Sequence, residues 1–303
     1  MAADARPNFS DLEAAAAGRH AVIAVAAAHD PEVLAAVRDA HDMFGTEAIL
    51  FGQTARMDSL PAMAGITRID TPDDETSAAL AVEACRGGAA SILMKGNLPT
   101  GTLMRAALAR DTGLRSDGLL SHVMFYAPPR YGKLLVLTDG GLNPFPDLAQ
   151  KKQILLNALT LMRRLGWTDI NVSIVAAAEQ VNPNIQSMVD AEWLAAQPDW
   201  AACSAHVIGP VGLDLAVSEA AAAAKHYTGE GAGKADLLLV PNYEVGNGIG
   251  KTLTWFGEAE SAGLIVGATV PIVLVSRSDD HIAKRRSIAL AMAASANDME
   301  DNR

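Results

Sequence analysis

Five segments carry residues whose types and spacing could do chemistry, and each follows a run that reads as a strand. In Met94-Lys95-Gly96-Asn97, the lysine precedes a predicted helix that carries Arg105. A lysine at a strand end beside a helix N-terminus suits phosphate, because the ammonium and the open backbone N–H groups face one anion. Taken alone, the segment defaults to a solvated lysine in a turn. Thr138-Asp139-Gly140-Gly141-Leu142-Asn143-Pro144 joins a glycine pair, which lets backbone approach a ligand, to an Asn-Pro turn, and it serves equally as an ordinary strand-to-helix loop. Asn182-Pro183-Asn184, after Glu179, repeats that layout. In Gly209-Pro210-Val211-Gly212-Leu213-Asp214 the aspartate suits a helix start better than the role of a base.

The stretch from Pro241 to Thr252 holds Gly250-Lys251-Thr252, the ending of a nucleotide P-loop, but the leading glycine of that motif would fall at Val245. A glycine-rich strand-to-helix turn still binds phosphate through backbone N–H groups, which keeps Gly246, Asn247 and Lys251 as anion-binding candidates. The fifth segment is Val275-Ser276-Arg277-Ser278-Asp279-Asp280. Arg277 offers a bidentate fork for phosphate, Ser276 a hydroxyl donor to a carbonyl oxygen, and Asp279 and Asp280 two proton acceptors. Alone, a Ser/Asp helix cap with a surface ion pair accounts for it. The concentration of all five at strand ends turns the reading toward a phosphate-handling cleft.

Other chemistries are excluded. The seven histidines form no H-x-x-x-H pair, no G-x-S-x-G elbow occurs, and Cys85 and Cys203 stand in alanine-rich surroundings as small core residues, so no metal site is expected. A net charge of −11, from 35 Asp plus Glu against 24 Lys plus Arg, argues against a nucleic-acid partner. The N-terminus has neither a basic nor an apolar leader segment and no apolar run reaches a bilayer span, so a cytoplasmic protein without a membrane partner is expected.

The elements that must position these residues are short Val/Ile/Leu runs alternating with longer Ala/Leu segments of helical period, the pattern of a parallel sheet covered by helices. Strands are expected over 20–26, 48–51, 90–94, 123–126, 134–137, 171–176, 206–208, 236–240 and 272–275. Helices are expected over 32–43, 75–85, 101–109, 149–165, 185–195, 213–224, 245–257 and 282–294. The 303 residues suffice for two α/β domains. The turn Ala127 to Lys133 is the best boundary, giving a discontinuous first domain of 1–130 plus 271–303 and a second of 131–270.

At these residues the chain resembles the phosphate acetyltransferase and phosphate butyryltransferase family. Lys95-Gly96 with Arg105, Leu120-Ser121-His122-Val123, Thr138-Asp139 with Asn143, Val181-Asn182-Pro183, and Gly209-Pro210 with Asp214 fall in the family's order. So do Gly233-Lys234-Ala235-Asp236, Pro241-Asn242, Gly246-Asn247, Lys251-Thr252-Leu253-Thr254 and Ser276-Arg277. The match runs from about Glu75 to Ala294, and Leu120 to Val123, Val181 to Pro183 and Ser276 to Asp279 favour the butyryl-type branch.

The resemblance implies two α/β domains around a cleft, similar to the isocitrate and isopropylmalate dehydrogenases, and a homodimer or larger assembly. It also implies reversible transfer of a short acyl group, acetyl to butyryl, between coenzyme A and inorganic phosphate by direct attack in a ternary complex. Coenzyme A or acyl-CoA and phosphate or acyl phosphate are then substrates, and no cofactor is permanently bound. Arg277 would bind phosphate and Ser276 would donate to the oxyanion. Lys95, Arg105, Asn143, Gly246, Asn247 and Lys251 would bind substrate, and Asp279 or Asp280 would take the thiol proton unless phosphate itself does.

The chain departs from the acetyl-type branch at Ala283, about two helical turns after the motif serine, where that branch carries an aspartate. Two rival readings follow. One is a metal- and nicotinamide-dependent dehydrogenase on the same scaffold, which would need an aspartate cluster that the sequence lacks. The other is a non-catalytic acyl-CoA or acyl-phosphate sensor, which Ala283 mildly favours.

Overall fold

Branched aliphatic runs alternating with amphipathic alanine-rich stretches build two compact α/β units, seen in residues 6–57, 62–116, 118–274 and 279–295 of the computed structural model. One unit comprises Phe9–Gly118 and the returning segment from Ala262; the other comprises Leu119–Ser261 and the stretch ending at Asn8.

The first unit runs α1 (Phe9–Ala16), β1 (Val22–Ala26), α2 (Pro31–Phe44), β2 (Glu47–Gly52), β3 (Ile66–Asp70), α3 (Asp74–Arg86), β4 (Ile92–Lys95) and α4 (Thr100–Ala107). Strands β3, β2, β1 and β4 lie side by side and parallel. β4 is buried along its whole length and β1 nearly so, as expected of strands covered on both faces. Local sequence fixes the helix ends. Asp30 caps α2 by accepting from the Val33 N–H at 3.1 Å, Pro31 occupies the first turn, and Gly45 ends the helix with φ 75°. Pairing of Ala26 with Lys95 sets the lysine beside the end of β1.

The second unit runs β5 (Ser121–Ala127), β6 (Leu135–Thr138), α5 (Leu148–Arg164), β7 (Ile170–Val175), α6 (Gln186–Ala195), β8 (Ala205–Val211), α7 (Leu213–Val217), α8 (Glu219–Ala224), β9 (Leu237–Leu239) and α9 (Tyr243–Trp255). Its sheet order is β5-β6-β9-β7-β8, parallel except that β5 and β6 pair antiparallel. β10 (Glu260–Val266) carries the chain back to the first unit, where β11 (Ile272–Val273) pairs parallel with β4 and antiparallel with β10. α10 (His281–Ser295) follows and packs on α1 and α2, with Arg285 paired to Glu13 at 2.8 Å.

Four features differ from the sequence reading. The sheet is mixed, because the Pro-Gly turn at 127–133 is a hairpin joining β5 to β6 within one unit. β3 was not expected: it is an edge strand whose Thr67, Asp70 and neighbours face water, so its apolar signal is diluted. β10 was missed because Ser261 and Gly263 interrupt its aliphatic run. The expected helix 213–224 is two helices, because the Ser218 side chain accepts from the Ala221 N–H and starts α8 afresh.

Candidate active site

In the second unit the chemistry-bearing loops follow β6 and β9, which are adjacent parallel strands. The loop after β6 is organised by Asp139, which is buried. One carboxylate oxygen accepts from the Gly141 N–H at 2.9 Å and the Leu142 N–H at 2.8 Å. The other accepts from the His122 N–H at 3.0 Å and the Asn143 side-chain amide at 2.6 Å. All four acceptor sites of the carboxylate are thus occupied by N–H groups, and its role is to clamp the turn. The Asn143 amide also donates to the Leu120 carbonyl at 2.9 Å, and the Thr138 hydroxyl to the His122 carbonyl at 2.9 Å, which ties the loop to β5. The Thr138–Asp139 peptide bond is cis.

The loop after β9 begins α9. Asn242 caps it by accepting from the Val245 N–H at 3.0 Å, and the Tyr243 N–H donates to the Pro144 carbonyl at 3.2 Å. Gly140 and Gly246 make the two loops fit: a Cβ on Gly246 would sit 2.6 Å from the Gly140 Cα, and one on Gly140 would sit 2.8 Å from the Gly246 carbonyl carbon. Any side chain at either position would push the first turn of α9 away from Asn143. Gly246 and Gly250, one turn apart, form the buried side of α9.

Gly246 to Lys251 fall within the helix expected over 245–257 and not in the strand-to-helix turn before it. The stretch lies inside α9, where backbone N–H groups are spent within the helix, as from Gly246 to the Asn242 carbonyl at 3.1 Å. Gly246 is a packing residue, Asn247 is half-buried and Lys251 is exposed.

In the first unit, Lys95 ends β4 and is buried, with Nζ donating to the Gly96 carbonyl at 3.3 Å. Arg105 is exposed in the last turn of α4, a helix of eight residues and therefore about 12 Å long. Lys95 and Arg105 consequently stand toward opposite ends of one helix. Ser276 and Arg277 lie outside the described residues. Asp279 is half-buried and its carbonyl accepts from the Lys284 ammonium. Asp280 is exposed and caps α10, with Oδ1 accepting from the Ala283 N–H at 2.9 Å. Ala283 itself is buried and supplies no ionisable group.

Asp214 lies in the first turn of α7, as its sequence setting suggests, and pairs with Lys225 at 3.1 Å. That hydrogen bond holds its carboxyl below the usual carboxylate range and pushes the lysine up. Asn182 forms the turn into α6, accepting from the Asn184 N–H at 3.0 Å. Asp236, in the Gly-Lys-Ala-Asp motif, is fully buried between Lys133 at 2.7 Å and Arg6 at 3.3 Å, so that motif builds structure.

Sequence reasoning missed a buried ion pair, Lys151 with Asp190 at 2.6 Å, in which Gln186 donates to the second carboxylate oxygen at 2.8 Å. The available signal was a lysine on the face of α5 that also carries Ile154, Leu155 and Ala158.

The described residues form a two-unit α/β scaffold whose polar loops lie where strands end, a setting in which α/β enzymes place their ligands. Residues 72–292 match the phosphate acetyl/butaryl transferase family, and the chain belongs to that family: it is a phosphate acyltransferase with coenzyme A as a substrate. The phosphate butyryltransferase of Clostridium acetobutylicum is 38% identical over 281 residues, covering 91% of this chain and 93% of that one. A solved branched-chain phosphotransacylase from Enterococcus faecalis superposes with a TM-score of 0.82 at 34% identity, covering 91% of this chain and 99% of the other. The fold is of the isocitrate dehydrogenase-like kind. It extends to 4-hydroxythreonine-4-phosphate dehydrogenase from Klebsiella pneumoniae, with a TM-score of 0.56 at 12% identity over 91% of this chain and 99% of that one.

Proposed function

We propose that the enzyme transfers a short acyl group, in the acetyl to butyryl range, directly between coenzyme A and phosphate within a ternary complex. The observation that carries this reading is the Asp139-clamped loop seated on the first turn of α9, which fixes Asn143 and the Asn242 cap at neighbouring strand ends. Two anionic substrates must be held so that a phosphate oxygen meets a thioester carbonyl, and a rigid polar rim at strand ends suits that task. The names of the relatives, a butyryltransferase and a branched-chain phosphotransacylase, favour acyl groups beyond acetyl.

In the forward direction a phosphate oxygen attacks the thioester carbon, a C–O bond forms, and the tetrahedral centre collapses with loss of the coenzyme A thiolate. In reverse, the thiol gives up its proton and its sulfur attacks the acyl phosphate. Arg277 binds the phosphate and Ser276 donates to the oxyanion. Lys95, Arg105, Asn143 and Lys251 hold the substrates' anionic and carbonyl groups, with Gly246 and Asn247 shaping the same rim. Asp280 takes the thiol proton: its Oδ1 serves the helix cap, leaving Oδ2 to face water. No electrons are exchanged, so the reaction needs no bound redox cofactor. The enzyme works in the cytoplasm as a homo-oligomer, whose apolar contacts a positive mean hydropathy supports.

Arg277→Ala tests the assignment. Losing a charge-assisted contact made in the transition state slows transfer about 100- to 1000-fold, and Arg277→Lys recovers little because an ammonium lacks the fork. A folded Arg277→Ala enzyme with near-normal turnover and phosphate affinity removes this arginine from the mechanism.

A further inference from the structure

Two buried lysines differ in their partners. Lys151 in the second unit is neutralised by Asp190 at 2.6 Å. Lys284 in the first unit is 4% exposed, and among the described residues no carboxylate pairs with it. Its ammonium donates to one acceptor, the Asp279 carbonyl. Two carboxylates at the start of α10 are engaged elsewhere: Glu32 of α2 accepts from the His281 N–H at 2.8 Å, and Asp280 Oδ1 accepts from the Ala283 N–H at 2.9 Å. An ammonium carries three N–H groups, and a buried charge without a counter-ion is costly, so the site as built lacks an anion.

The packing of α10 shows where that charge lies. Ser287, three residues after Lys284 on the same face, has a buried hydroxyl that accepts from the Gly263 N–H of β10 at 3.0 Å. That face is therefore turned to the sheet. Helical side chains lean toward the N-terminus of their helix, which brings the ammonium back to Asp279 at the entry to α10. The chain arrives there from β11, whose Val273 pairs with Met94, the neighbour of Lys95. Lys95 closing β4 and Lys284 at the helix entry after β11 thus belong to adjacent strand ends of one unit.

We propose that the Lys284 ammonium binds the phosphate group that is transferred, as a substrate contact additional to Arg277, an inference that rests on the acyltransferase reading above. Asp279, which holds the ammonium, follows Ser276 by three residues, so the charge stands at the end of the segment assigned to that phosphate. A phosphate supplies what the site lacks, negative charge and acceptor oxygens for the remaining N–H groups of the lysine.

Lys284→Gln keeps a donor for the Asp279 carbonyl and loses the charge, whereas Lys284→Met loses both; either variant alone suffices as a test. The dissociation constant for inorganic phosphate, read from the rise of melting temperature with phosphate at constant ionic strength, weakens by about tenfold or more in each. KM for phosphate in transfer from butyryl-CoA rises by a similar factor, and KM for butyryl-CoA does not. A lysine that only braces the helix entry lowers the melting temperature without phosphate and leaves the phosphate constant unchanged, which overturns the proposal. Adenosine 3′,5′-bisphosphate, which carries phosphates of the coenzyme A nucleotide, binds the variants as it binds the wild type. A loss as large for the bisphosphate as for inorganic phosphate assigns Lys284 to coenzyme A and also overturns the proposal. If wild-type protein transfers no acyl group, the acyltransferase reading fails. Phosphate binding that the variants weaken still supports the site in that case, and equal phosphate binding by variants and wild type overturns it.

Discussion

Two carboxylates named by the sequence, Asp139 directly after β6 and Asp280 directly before α10, have opposite surroundings. Asp139 in the second unit is buried and accepts four N–H hydrogen bonds. Asp280 in the first unit is exposed and uses one oxygen to cap a helix. A carboxylate whose acceptor sites are all taken by fixed donors holds a loop in shape, whereas one with an oxygen facing water can still take up a proton. Residue type is shared, so the count of partners is what separates the clamp from the carboxylate proposed as base.

Substituting both residues by alanine breaks this comparison most directly. Asp139→Ala leaves the buried His122 N–H and the half-buried Gly141 and Leu142 N–H groups without an acceptor, at about 1–3 kcal/mol for a buried group and less for the others, so a loss of about 3 kcal/mol is expected. Asp280→Ala removes one helix cap, worth about 1 kcal/mol. Urea denaturation of the two variants measures both, and equal losses contradict the assignment of roles.

Asp280→Asn sharpens the contrast, because asparagine keeps the cap while removing the proposed base. Thiol-to-acyl-phosphate transfer then slows by about 100-fold, the low end of general-base contributions, with the melting temperature nearly unchanged. An unaffected rate assigns the thiol proton to phosphate.

A smaller effect belongs to His29 at the end of β1, whose pKa is lowered from 6.5 by burial and then by Arg56. The unfolded chain then takes up the proton first, so the stability is intact above pH 6.5 and declines as pH falls below it. His29→Gln flattens that decline in pH-dependent melting curves.

The smallest effect is at Cys85, where burial pushes the thiol up to about 12. An alkylating reagent at pH 8 labels Cys203, which is partly exposed, and leaves Cys85 untouched in the native protein, as peptide mapping reads directly.

Much of the fold is legible in the sequence because β1 is an unbroken aliphatic run and β4 is apolar up to its terminal Lys95, both buried along almost their whole length. β3 and β10 escape for the reasons given above, edge exposure and small polar interruptions. In the site, Asn143 stands out by its motif. The clamping role of Asp139 does not, since it depends on a donor from His122, 17 residues earlier and on another strand. The Lys151–Asp190 pair is hidden for the same reason, its partners standing 39 positions apart until folding brings them within 2.6 Å.

Isotope exchange tests direct transfer between coenzyme A and phosphate most plainly. Labelled coenzyme A is incubated with unlabelled butyryl-CoA, with and without phosphate, and label in butyryl-CoA is followed. Transfer in a ternary complex predicts exchange with phosphate present and none without it. Exchange in the absence of phosphate would reveal an acyl group parked on the protein and contradict the account.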